Sequence, residues 1–140
     1  MMLEKTCCGG DAVMLACSGG SNVGQISNEA AKALAEQGQG KMYCAIGVGA
    51  GLENFIETTR QAGTCVAIDG CQTGCLKKAL ENAGLQADVY VRVTDLGIEK
   101  QPGLDTPDDH VAKVASAVTD ALQGPACCVE QSGDCCTCDE

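Results

Sequence analysis

Four cysteines of this chain stand where their spacing could do chemistry: Cys17 in "ACSGGSNVGQIS", Cys44 in "KMYC", and Cys71 and Cys75 in "DGCQTGC". Four thiolates in reach of one point suit a tetrahedral Zn²⁺ ion, and an iron–sulfur cluster or another soft metal uses the same kind of donor set. A full Cys₄ zinc site is closed, so it would be structural, sensing or transferable rather than hydrolytic. The spacing differs from that of a zinc knuckle, because the only close pair is C-x-x-x-C. The alternative is thiol chemistry. Cys17 would be the nucleophile of an oxidoreductase or sulfur-transfer protein, and Cys71 or Cys75 would resolve a disulfide or carry a persulfide. A third reading is an interaction module whose metal is purely structural. A conventional enzyme is not the first expectation.

The glycine-rich loop after Cys17 is not a nucleotide cradle. Gly19 and Gly24 have P-loop separation, but Gln25 and Ile26 replace the lysine and hydroxyl that motif needs. A C-x₅-R phosphatase loop would need its arginine at Val23, and no Lys or Arg occurs between Cys17 and Lys32. The loop can instead turn tightly and bring the backbone amides of Gly19, Gly20, Ser21 and Asn22 near Cys17, as a binding surface for an anion such as a thiolate. Ser21 and Asn22 read as caps of the following helix. Asp69 and Asp95 are expected at strand ends, as turn formers, as acceptors behind the thiols or as a general base. His110, the single histidine, is expected on a solvated helix surface.

Four apolar segments read as strands: 11–17, 40–46, 64–70 and 87–93. Their near-continuous hydrophobicity points to a parallel sheet buried on both faces. Helical spacing occupies the intervals, with Val23, Ile26, Ala30 and Leu34 in the first. Leu52, Phe55 and Ile56 mark the second helix and Leu76 and Leu80 the third. The last carries Val111, Val114, Val118 and Leu122 after Thr106 as N-cap and Pro107 at the first helical position. Segment 94–105 reads as an irregular loop. The β-α alternation predicts a three-layer, doubly wound, flavodoxin- or Rossmann-like α/β fold with a four-stranded parallel sheet in order 2-1-3-4. In such a sheet the strand C-termini share one edge, which carries Cys17, Cys44 and Cys71, with Cys75 a helical turn further on. Ligands bind at that edge where the strand order reverses.

The blocks "CSGGSNVGQISNEAA", "KMYC", "IDGCQTGC" and "VTDLGIEK" together resemble the DGC-domain family, named after the tripeptide Asp69-Gly70-Cys71. The resemblance covers roughly residues 12 to 122. It implies zinc chelation by four cysteines, which fall here on Cys17, Cys44, Cys71 and Cys75.

The wider composition narrows the partners. Twelve cysteines without a secretory leader read as thiols of the reducing cytoplasm. A net charge of −10 and the lack of a basic run exclude a nucleic-acid backbone as the expected partner. No segment is apolar enough to span a membrane. The expected organisation is a Cys-containing N-terminal segment (1–10), the α/β domain (11–124) and a Cys-rich acidic tail (125–140). Cys7, Cys8, Cys127, Cys128, Cys135, Cys136 and Cys138 form a second candidate cluster, for soft metals or metalloids.

Overall fold

The computed structural model describes residues 11–123. The proposed second cluster, Cys7, Cys8 and the five tail cysteines, lies outside the described residues. Strands β1 (Ala12–Ala16), β2 (Lys41–Met42), β3 (Thr64–Asp69) and β4 (Val89–Arg92) form one parallel sheet in the order β2-β1-β3-β4. The helices are α1 (Asn22–Glu36), α2 (Ala45–Gly49), α3 (Glu53–Gln61), α4 (Cys75–Asn82) and α5 (Asp108–Gln123). The expected class and strand order are both observed.

Alternation along β1 makes the three layers. Ala12, Met14 and Ala16 pack with Val23, Ile26, Ala30 and Leu34 of α1 and Val114 and Val118 of α5. Val13 and Leu15 face the other way, onto Val48, Ile56, Leu76 and Leu80 of the remaining helices. Successive strand side chains point to opposite faces, so a strand read as continuously apolar serves two cores at once. Cys65 belongs to the second core, 4% exposed. Burial, then the nearby Asp88 charge, push its thiol up to about 11, so it is packing material and not a reagent.

Several boundaries depart from expectation, and the strands are generally shorter than their apolar segments. Strand β2 ends at Met42, two residues before Cys44, and the extra helix α2 starts at Ala45. Its glycines at 47 and 49 hid it from periodicity: Gly47 lies under the Phe55 ring, where a Cβ would come within 2.6 Å of the ring carbons. Helix α5 begins one residue later than predicted, and the Pro107 carbonyl accepts from Val111 N. The expected loop 94–105 opens within a 3-10 turn, Val93–Leu96, that closes on Gly97 in the left-handed region. Among the described residues no helix is long and apolar enough to cross a membrane.

Candidate functional site

The site is built where β1 and β3 end side by side. Ala16 pairs with Ile68, and the chain then continues the ladder through Cys17 N, which donates to the Ile68 carbonyl at 3.1 Å. Ser18 follows at φ 49°, a left-handed conformation unusual for a residue with a side chain. That reversal starts the glycine loop, whose far end enters α1 with Ser21 as N-cap accepting from Gly24 N.

Gly24 lets the β1–α1 loop fold back on the first turn of α1, and Gly70 lets the end of β3 touch that turn. A Cβ on Gly24 would sit 2.5 Å from the Gly19 carbonyl oxygen, and one on Gly70 would sit 2.8 Å from Gly24 N. Both obstacles are backbone, which cannot swing aside. The middle residue of Asp69-Gly70-Cys71 is therefore glycine because α1's first turn lies against it. Gly70 N, brought close in this way, donates to Cys17 Sγ at 3.3 Å. The Ser27 hydroxyl, 3.5 Å from the same sulfur, donates its own proton to the Gly24 carbonyl at 2.6 Å. Its oxygen is then left to accept the thiol proton of Cys17.

Asp69 supports the other half. It is 1% exposed and accepts three hydrogen bonds: from Leu76 N (3.1 Å), Lys77 N (3.1 Å) and the Tyr90 hydroxyl (2.7 Å). The N-cap position of α4 is Gly74, which has no side chain to cap with, so a carboxylate from the preceding strand end does it instead. Burial first, then the bond to Asp69, raise the Tyr90 hydroxyl pKa well above its ordinary value and keep it a donor. Asp69 is thus a positioning group for α4, a role that its expected place at a strand end did not reveal. Asp95 instead pairs with Arg92 in the open, and His110 lies half-exposed in the first turn of α5 near Asp109.

Cys71 is half-buried. Its sulfur lies 3.4 Å from Thr73 Oγ1 and 3.6 Å from Lys100 Nζ. Hydrogen bonding by Thr73, with the lysine charge adding to it, holds this thiol below the usual cysteine range. Cys17, Cys71 and Cys75 line one cavity of about 280 Å³ with Asp69 and Lys100, and Gly19, Gly20 and Ser21 form its loop wall. Asn22 does not line it. A larger cavity of about 540 Å³ beside Tyr90 and Leu85 holds no cysteine, so the chemistry belongs to the smaller one.

Cys44 caps α2, is exposed, and is absent from the cavity wall. The four-cysteine set is thus divided three and one. Among the described residues no three Cys, His, Asp or Glu side chains stand close enough to hold a metal ion. Lys100 also sets an ammonium beside one of the sulfurs a cation would need. The residues as they stand do not fit a Zn²⁺ centre on Cys17, Cys44, Cys71 and Cys75.

Sequence reasoning missed Lys100, Ser27, Thr73 and Tyr90. Lys100 had one available signal: it is the last residue of the block "VTDLGIEK". The cation that could not be found after Cys17 arrives from a loop near the other end of the domain.

A doubly wound α/β domain with a cysteine-lined pocket at its topological switch point defines the class. The DGC domain model matches residues 13–118, and the chain belongs to that family. It is 30% identical over 105 residues to the anaerobic and virulence modulator AnvM of Pseudomonas aeruginosa, a match covering 75% of this chain and 80% of that one. No solved structure matches significantly.

Proposed function

We propose that this protein acts through its thiols, with Cys17 and Cys71 as the reactive pair of a redox or sulfur-transfer pocket in the cytoplasm. One observation carries the reading. Cys17 and Cys71 line the same pocket, each sulfur provided with polar partners, and Cys71 beside an ammonium. Oxidation of two such thiols to a disulfide would release two protons and give two electrons to an oxidant such as a peroxide or a second disulfide. In sulfur transfer, the Cys71 thiolate would attack the outer sulfur of a donor persulfide, break its S–S bond and expel the donor thiolate. Cys75, also on the pocket wall, would attack the inner sulfur of a Cys71 persulfide, forming a Cys71–Cys75 disulfide as hydrosulfide leaves. An external dithiol would return either disulfide to thiols. The similarity to a protein named as an anaerobic modulator supports a role tied to redox state.

Thiophilic metal binding is the second reading, favoured by the sharing of one pocket by three of the four family cysteines. It requires Cys44 to move in and Lys100 to move out. The two readings separate on anaerobically purified protein. Thiol labelling with mass-spectrometric site assignment should give fastest modification at Cys71. Mild peroxide treatment should form a Cys17–Cys71 disulfide that is identified by its linked peptides in the native chain and absent from Cys17→Ser and Cys71→Ser. Unreactive Cys17 and Cys71 would defeat the first reading. One zinc per chain, lost in each of Cys17→Ser, Cys44→Ser, Cys71→Ser and Cys75→Ser, would establish the second in its place.

A further inference from the structure

We infer that the pocket takes a small anionic electrophile, selected by Lys100, and that Asn22 is the positioning residue that holds Lys100 there. This rests on the thiol-pocket reading above and names its substrate class.

The lysine is placed by the fold. Asn22 is 8% exposed, and its carboxamide is used at both ends: Nδ2 donates to the Glu99 carbonyl at 2.8 Å, and Oδ1 accepts from Gln101 N at 2.6 Å. Its backbone N donates to the Gln101 carbonyl as well. The residues on either side of Lys100 are thus tied to the start of α1, and Ile98 is sunk in the core just before them. What remains free is the Lys100 side chain, which reaches Cys71.

The charge has no other employment. Among the described residues Lys100 forms no salt bridge. Among the described residues Asp69 is the only acidic side chain lining the pocket, and its oxygens are committed to three donors. The N-termini of α1 and α4 open on the same cavity, and their partial charges have the same sign as the ammonium. The chain carries a net charge of −10, yet what faces Cys71 in this pocket is an ammonium and the amide ends of two helices. Its surface repels anions in general, so anion preference at Cys71 must come from the pocket itself.

Two alkylating reagents differing in charge provide the test. Cys71 thiolate attacks the methylene carbon of iodoacetate or iodoacetamide; the S–C bond forms as the C–I bond breaks, and iodide leaves with the electron pair. Second-order rates at Cys71 and at exposed Cys44 are measured on the full, reduced, chelator-treated chain for both reagents. The iodoacetate-to-iodoacetamide ratio at Cys71 should fall about tenfold in Lys100→Gln, the order of a single steering charge, with no change at Cys44. Lys100→Arg should retain the ratio, added salt should lower it in the native chain, and Asn22→Ala should lower it in part. Lys100 is exposed, so Lys100→Gln should fold. The same ratio in native and Lys100→Gln protein overturns the inference. Cys71 reacting with neither reagent faster than Cys44 overturns the thiol-pocket reading instead.

Discussion

Asp69→Asn tests whether a strand-end carboxylate holds the third cysteine-bearing element in place. The two oxygens of Asp69 divide their donors unevenly, Oδ1 taking Leu76 N and Oδ2 taking Lys77 N and the Tyr90 hydroxyl. A carboxamide supplies one acceptor oxygen. In its best orientation it keeps Lys77 N and Tyr90 and turns its NH₂ onto Leu76 N–H, donor against donor. Leaving that buried amide unsatisfied costs about 1–3 kcal/mol, and two bonds to a charged acceptor become neutral ones at a further loss of roughly 1 kcal/mol each. The expected destabilisation is therefore about 3–5 kcal/mol, a large part of the stability of an ordinary domain. Urea unfolding followed by circular dichroism under reducing conditions should show a lower midpoint at unchanged slope. Tyr90→Phe removes a single bond and should cost about 1–2 kcal/mol, and the double variant should lose less than the sum because the two share that bond. A loss below about 1 kcal/mol for Asp69→Asn would show that the carboxylate does not bear on α4, and the reasoning would fail.

Gly70→Ala should destabilise by about 1–3 kcal/mol or more, since its Cβ meets backbone atoms of α1; equal urea midpoints would contradict the close approach. The alkylation rate of Cys71 should rise with pH around a midpoint below that of an ordinary thiol, and Thr73→Val should move the midpoint upward. The corresponding stability is present above the unfolded thiol's pKa and is lost as pH falls through the lowered folded value, so a stability profile flat across that window would count against it. Cys65 should resist labelling in the native chain and react only on unfolding; native-state modification at a rate like that of Cys44 would contradict its burial.

The sequence on its own determined the sheet, its order and the edge where Cys17 and Cys71 meet. Those follow from local pattern: apolar runs, glycine stops and the rule that parallel strands share a C-terminal edge. Cys44 was misplaced by one short helix, because the two glycines of α2 weaken helical periodicity as they would weaken a strand. Only the tertiary structure decided what surrounds the sulfurs. The Asn22 side chain finds its partners 77 and 79 residues away, Tyr90 reaches Asp69 across 21, and Lys100 reaches Cys71 across 29. Long separations of this kind leave no period in the sequence, because the order of elements fixes which loops become neighbours and side-chain length fixes which of their atoms touch.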